Sequence, residues 1–91
     1  MDIIDTAANE LQINSNELKR ESVRAYLMQK LSMVESEIFL LAKKYGVKDV
    51  FELDSKVKDG IVTEDDAYDD YFAFDNLEAD REKLKKLLLF L

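Results

Sequence analysis

The sequence has no cysteine, no histidine, no proline and no tryptophan, and only two glycines, Gly46 and Gly60, in 91 residues. Without cysteine there are no disulfide staples, thiolate ligands or thiol nucleophiles. Without histidine the commonest general base and the commonest metal ligand are missing. Two glycines and no proline exclude both a flexible linker and a turn-rich β fold. No glycine-rich phosphate loop, G-x-S-x-G or H-E-x-x-H occurs, so the chain reads as non-catalytic and free of cofactor. No run approaches the roughly 18 apolar residues of a membrane span. Met1-Asp2-Ile3-Ile4-Asp5 has neither the basic nor the apolar region of a secretory leader, and the expected location is cytoplasmic.

What the sequence has is apolar content and acid. Hydrophobic residues make up 47% and there are four tyrosines and five phenylalanines, too many for a disordered acidic tail. Their spacing predicts an all-α fold of four helices, about 2–12, 15–45, 49–59 and 64–90, in a single domain covering 1–91. Ile3, Ile4, Ala7, Ala8 and Leu11 share one helical face. Asn14 with Glu17, Asp49 with Glu52, and Thr63 with Asp66 stand three apart as helix-start signals. Lys43, Lys44 and then Gly46 form a stop signal. Asp75-Asn76 is the weakest helix-forming pair of the last stretch and predicts a bend there. Ile38 to Ala42 is apolar on nearly every side, which predicts burial by several neighbours.

Within the second helix, Leu27, Leu31, Val34, Ile38, Leu41 and Tyr45 recur at alternating spacings of four and three, a heptad seam. A helix of about 30 residues spans about 45 Å, whereas a compact domain of this size has a radius of gyration of about 12 Å. The reading is therefore an elongated helical homodimer, with Leu27, Leu31, Val34, Ile38 and Leu41 at its interface. Residues 1–48 form the dimerising scaffold and 49–91 an acidic, partner-binding part. The bland alternative has the other helices folding back over the seam within one chain.

Charge is uneven. Residues 1–48 hold seven bases and seven acids, so the net −7 lies wholly in residues 49–91. Residues 59–80 carry nine acids and no base, with Tyr68, Tyr71, Phe72 and Phe74 among them. Such a run repels itself unless something positive meets it. It reads as a docking surface for a basic protein, with Tyr71 and Phe74 assigned to the core; the bland alternative is a solvated acidic face on an amphipathic helix. Asp65/Asp69 and Asp66/Asp70 are i,i+4 pairs able to face a hard cation, but the run lacks the glycine of a calcium loop, and no metal is expected. Lys19, Arg20 and Arg24 are the possible DNA contacts, a partial stripe offset by Glu17 and Glu21, so nucleic-acid binding is expected to be weak or absent.

Two stretches carry a resemblance. Residues 6–27, TAANELQINSNELKRESVRAYL, resemble the helix pair of ribbon-helix-helix DNA-binding antitoxins. That family reads DNA with a strand ahead of the first helix; here only Met1 to Ile4 stand there, without a base, and cannot form such a ribbon. Ala42-Lys43-Lys44-Tyr45-Gly46-Val47, Phe51-Glu52, Asp69-Asp70-Tyr71-Phe72 and Leu77-Glu78 are similar to a pattern in small archaeal and bacterial antitoxin-like proteins. The resemblance implies a toxin partner, commonly an RNase with a basic surface. Asp65, Asp66, Asp69 and Asp70 would supply charge to meet it, and Tyr68 and Phe72 would supply anchors. The alternatives are a structural or adaptor dimer without a toxin, and a weak DNA-binding regulator.

Overall fold

The computed structural model describes residues 2–91; the part of the first-helix reading that falls on Met1 lies outside them. The elements are α1 (Ile3–Leu11), α2 (Ser15–Tyr45), α3 (Val50–Lys58) and α4 (Glu64–Leu88), with no strand among the described residues. The all-α, elongated reading holds: the radius of gyration is 19.1 Å and the extents are 61 × 19 × 18 Å. No helix is long and apolar enough to cross a membrane among the described residues.

α2, α3 and α4 each start where their sequence signals stand. Asn14 Oδ1 accepts the backbone N–H of Asn16 at 2.8 Å and of Glu17 at 3.2 Å. Asp49 Oδ1 accepts from Glu52 N at 2.9 Å, and Thr63 Oγ1 from Asp66 N at 3.2 Å. These caps satisfy donors that a helix start leaves without partners. Gly46, at φ 65°, closes α2 in the left-handed conformation, which glycine adopts without steric cost. Lys56 of α3 then donates to the carbonyl of Tyr45 at 2.8 Å, placing a cation at the negative end of the α2 dipole. Glu78 of α4 in turn accepts from Val50 N at 3.4 Å, beside the first turn of α3.

α4 runs back antiparallel along α2, α1 folds onto the start of α2, and α3 packs on α4. The main core lies at one end of this rod: Ile38, Val47, Val50, Leu53, Ala67 and Phe74 are buried, with Val34, Leu41, Tyr45, Tyr71 and Leu77 packed around them. Leu53 and Phe74 are wholly enclosed. Before Ile38, Ala8 is the one buried residue among those described.

Three expectations are corrected. The heptad seam does not wait for a second copy: Val34, Ile38 and Leu41 pack into the chain's own core, and Leu27 and Leu31 are half-buried on the same side. The antiparallel return of α4 satisfies an apolar stripe as well as a second copy would. Phe39 and Leu40, expected inside, are each 64% exposed, because one helix packed along α2 covers only one side of it. Asp75-Asn76 lies within the unbroken α4. Phe74 and Leu77, anchored in or against the core on either side of that pair, outweigh its low propensity.

Candidate functional site

The acidic run becomes the first half of α4, and its side chains separate onto two faces. At 3.6 residues per turn, Tyr68 and Phe72 stack one turn apart on the side away from α2, at 58% and 52% exposure. Their rings meet edge to face, with centroids 5.1 Å apart and planes at 75°. Phe72 also meets Tyr71 edge to face at 5.7 Å and 89°. Since Tyr71 packs against the core, it holds Phe72 from below. The pair is thus a supported ridge, and little rotamer freedom remains to be lost when it is covered.

Carboxylates flank the ridge. Glu64 stands one turn before Tyr68 and Asp75 lies along the same flank; Asp65 and Asp69 stand on the other. All four are exposed. Beside the ridge, between α3 and α4, a groove of about 240 Å³ is lined by Asp54, Val57, Glu64, Ala67, Tyr68, Tyr71 and Phe72. Its floor is apolar and its rim acidic, although Asp54 is already paired with Lys58 at 2.9 Å. Hydrogen bonding to Asp54 holds the Lys58 ammonium above its ordinary range.

Asp66 and Asp70 belong to the other face. Asp70 Oδ2 accepts from Lys44 Nζ at 2.6 Å and from the Tyr45 hydroxyl at 2.5 Å. The Tyr45 hydroxyl lies 3.4 Å from the backbone carbonyl oxygen of Asp66, whose side chain is exposed beside this junction. Asp70 is therefore a clamp between α4 and the end of α2, and its assignment to partner binding is withdrawn. The hydrogen bond from Lys44, then that from Tyr45, holds its carboxyl below the usual aspartate range. The same bond raises Lys44, while burial first and the bond to Asp70 second raise the Tyr45 phenol.

The direction of these shifts sets a pH window. A carboxyl lowered by folding contributes stability above the ordinary aspartate pKa, and that contribution is lost as pH falls through the folded value. Raised Lys44 and Tyr45 contribute below their ordinary values near 10, and lose that contribution as pH rises through the folded ones. Asp70→Asn is expected to lower unfolding stability by about 1–2 kcal/mol at pH 7, since hydrogen bonds to charged groups are worth that much after solvent screening. The variant should also lose part of the wild type's destabilisation below about pH 4. Urea titrations at pH 7 and pH 3 check both; equal midpoints for the two proteins at pH 7 would remove the clamp.

The basic candidates do not form one surface. Arg20 and Arg24 are one turn apart, but Lys19 points roughly 100° away from Arg20. Arg24 Nε lies 3.9 Å from the Glu21 carboxylate. The resemblance to antitoxins names Tyr68 and Phe72 as anchors, on the less core-like face of the helix. Sequence reasoning missed Glu64 as part of the same face, although that residue stands four before Tyr68. It also missed Asp54 and Val57, which reach the groove only because α3 packs beside α4.

Comparison with known proteins adds one match. Residues 1–89 match the family model described as "Uncharacterized protein MJ0235 family". No curated protein and no solved structure matches the chain.

Proposed function

We propose, for a chain that belongs to the Uncharacterized protein MJ0235 family, that it is a non-catalytic binding protein whose α4 docks a basic protein partner. The observation that carries this reading is the exposed Tyr68–Phe72 pair, braced by Tyr71 and flanked on both sides by unpaired acids. Aromatics with restricted rotamers are the usual anchors of protein interfaces. Carboxylates around them steer a positive surface into place and disfavour acidic competitors. The docking residues are Asp65, Tyr68, Asp69 and Phe72, joined by Glu64, with Asp66 at the margin. An RNase-type toxin, whose RNA-binding surface is basic, is the partner class that the resemblance to antitoxins implies, and capture of that surface would neutralise it.

The test is co-purification of the tagged chain with the products of its adjacent genes, sized by light scattering. A stoichiometric complex with a small basic protein is expected, lost in the Asp65→Lys, Asp69→Lys double variant while helical circular dichroism is retained. A complex indifferent to that change, or no basic partner at all, would overturn the reading.

A further inference from the structure

The groove between α3 and α4 suits one side chain better than a whole small molecule. Its volume is about 240 Å³, below the roughly 300–1,000 Å³ of pockets that enclose a small ligand. Its chemistry is graded. Val57 from α3 and Ala67 and Tyr71 from α4 give it an apolar floor, deepest at Ala67, which is 2% exposed. Tyr68 and Phe72 add aromatic surface along the α4 side. Each helix contributes a carboxylate, Asp54 from α3 and Glu64 from α4, and no base lines the groove among the described residues.

We infer that, when a basic partner docks on α4 (the reading on which this rests), the groove receives one of its arginine side chains. The alkyl stem lies over Val57 and Ala67, and the guanidinium lies between the aromatic ridge and the Glu64 and Asp54 carboxylates. Charge complementarity selects a cationic occupant. A neutral apolar side chain would desolvate two carboxylates without pairing them, and an acidic one would meet like charge. Glu64 has no cationic partner among the described residues. Asp54 already holds a cation: Lys58, one turn on, contacts it at 2.9 Å. The Tyr71 phenol is within electrostatic reach of that ammonium, so Lys58 stands at the groove as an internal competitor. Its side chain is 75% exposed, and a pair so exposed is weak enough to be exchanged. Aromatic surface beside carboxylate then favours arginine over lysine. An ammonium is compact and strongly hydrated. A guanidinium is planar, sheds water more readily, stacks on aromatic rings and gives a carboxylate two parallel N–H bonds.

The test needs no identified partner. The isotope-labelled full chain is titrated, under nuclear magnetic resonance, with the N-acetyl methylamides of arginine, lysine and norleucine. The arginine probe is expected to give saturable shifts centred on Val57, Ala67 and Tyr71. It should bind about threefold or more tightly than the lysine probe, and norleucine should not saturate. Glu64→Gln should weaken arginine binding about fivefold, the loss of one exposed charged contact. Lys58→Gln, which frees Asp54, should tighten it about threefold. Lys83→Gln makes the same change in net charge away from the groove and should have no such effect. Equal binding of lysine or norleucine, shifts centred elsewhere, or equal effects of Lys58→Gln and Lys83→Gln would each overturn the arginine groove, while co-purification with a basic protein would still stand. The converse result, a groove selecting arginine in a chain that captures no basic protein, would overturn the docking reading and keep the groove's guanidinium preference.

Discussion

Phe74→Ala is expected to remove about 3–5 kcal/mol of unfolding stability, the usual cost of emptying a fully enclosed aromatic site. A 91-residue domain has in all roughly 5–14 kcal/mol at 0.05–0.15 kcal/mol per residue, so this one change takes much of the total. The reason is the placement of the core. Phe74 is completely buried where α2, α3 and α4 meet, with Leu53 as the only other large side chain so enclosed among the described residues. The remainder of the rod offers half-buried contacts and Ala8, so no second core compensates. Phe72→Ala, two residues along the same helix but half-exposed, should cost well under 1.5 kcal/mol. Urea denaturation followed at 222 nm separates the two. Equal losses for both variants would mean that the packing around Phe74 is not what holds the three helices together.

Local signals made most of this fold legible. Asn14, Asp49, Thr63 and Gly46 mark helix ends because capping depends on residues three apart or on a single backbone conformation. Gln12 is the exception: it ends α1 at φ 57°, a left-handed geometry that its side chain does not advertise. Long-range pairing was hidden. The seam from Leu27 to Tyr45 says that something apolar covers it, and a heptad reads alike for a second chain and for α4. The Asp70 clamp was invisible for the same reason, since Lys44 stands 26 residues away and an acid without neighbouring bases in sequence looks unpaired. The candidate site divides likewise. Tyr68 and Phe72 come from the resemblance and their place off the core-like face, whereas the groove beside them needs α3, whose position is set by burial of Val50 and Leu53 against α4. Phe39 and Leu40 show the converse limit: the apolar turn around them predicts burial on every side, whereas the structure covers only the side that holds Ile38.

If α4 docks a basic partner as proposed, the ridge and its flanking acids should fail in different ways when changed. Phe72→Ala and Tyr68→Ala remove desolvated anchors and should weaken binding about 30–150-fold each, or about 2–3 kcal/mol. Most of that loss should appear as faster dissociation, because contacts made after docking set the lifetime of a complex. Asp65→Lys and Asp69→Lys act earlier. They alter the field that guides encounter, so they should slow association roughly tenfold at low salt and flatten its salt dependence. Asp70→Asn supplies the internal control: its carboxylate already serves Lys44 and Tyr45, so stability should fall while both rate constants stay near wild type. Surface-plasmon measurements at two ionic strengths read all of these quantities. Were Asp70→Asn to slow association as much as Asp69→Lys, the partner would be meeting the clamp face of α4, and the Tyr68–Phe72 ridge would be an exposed pair without a docking role.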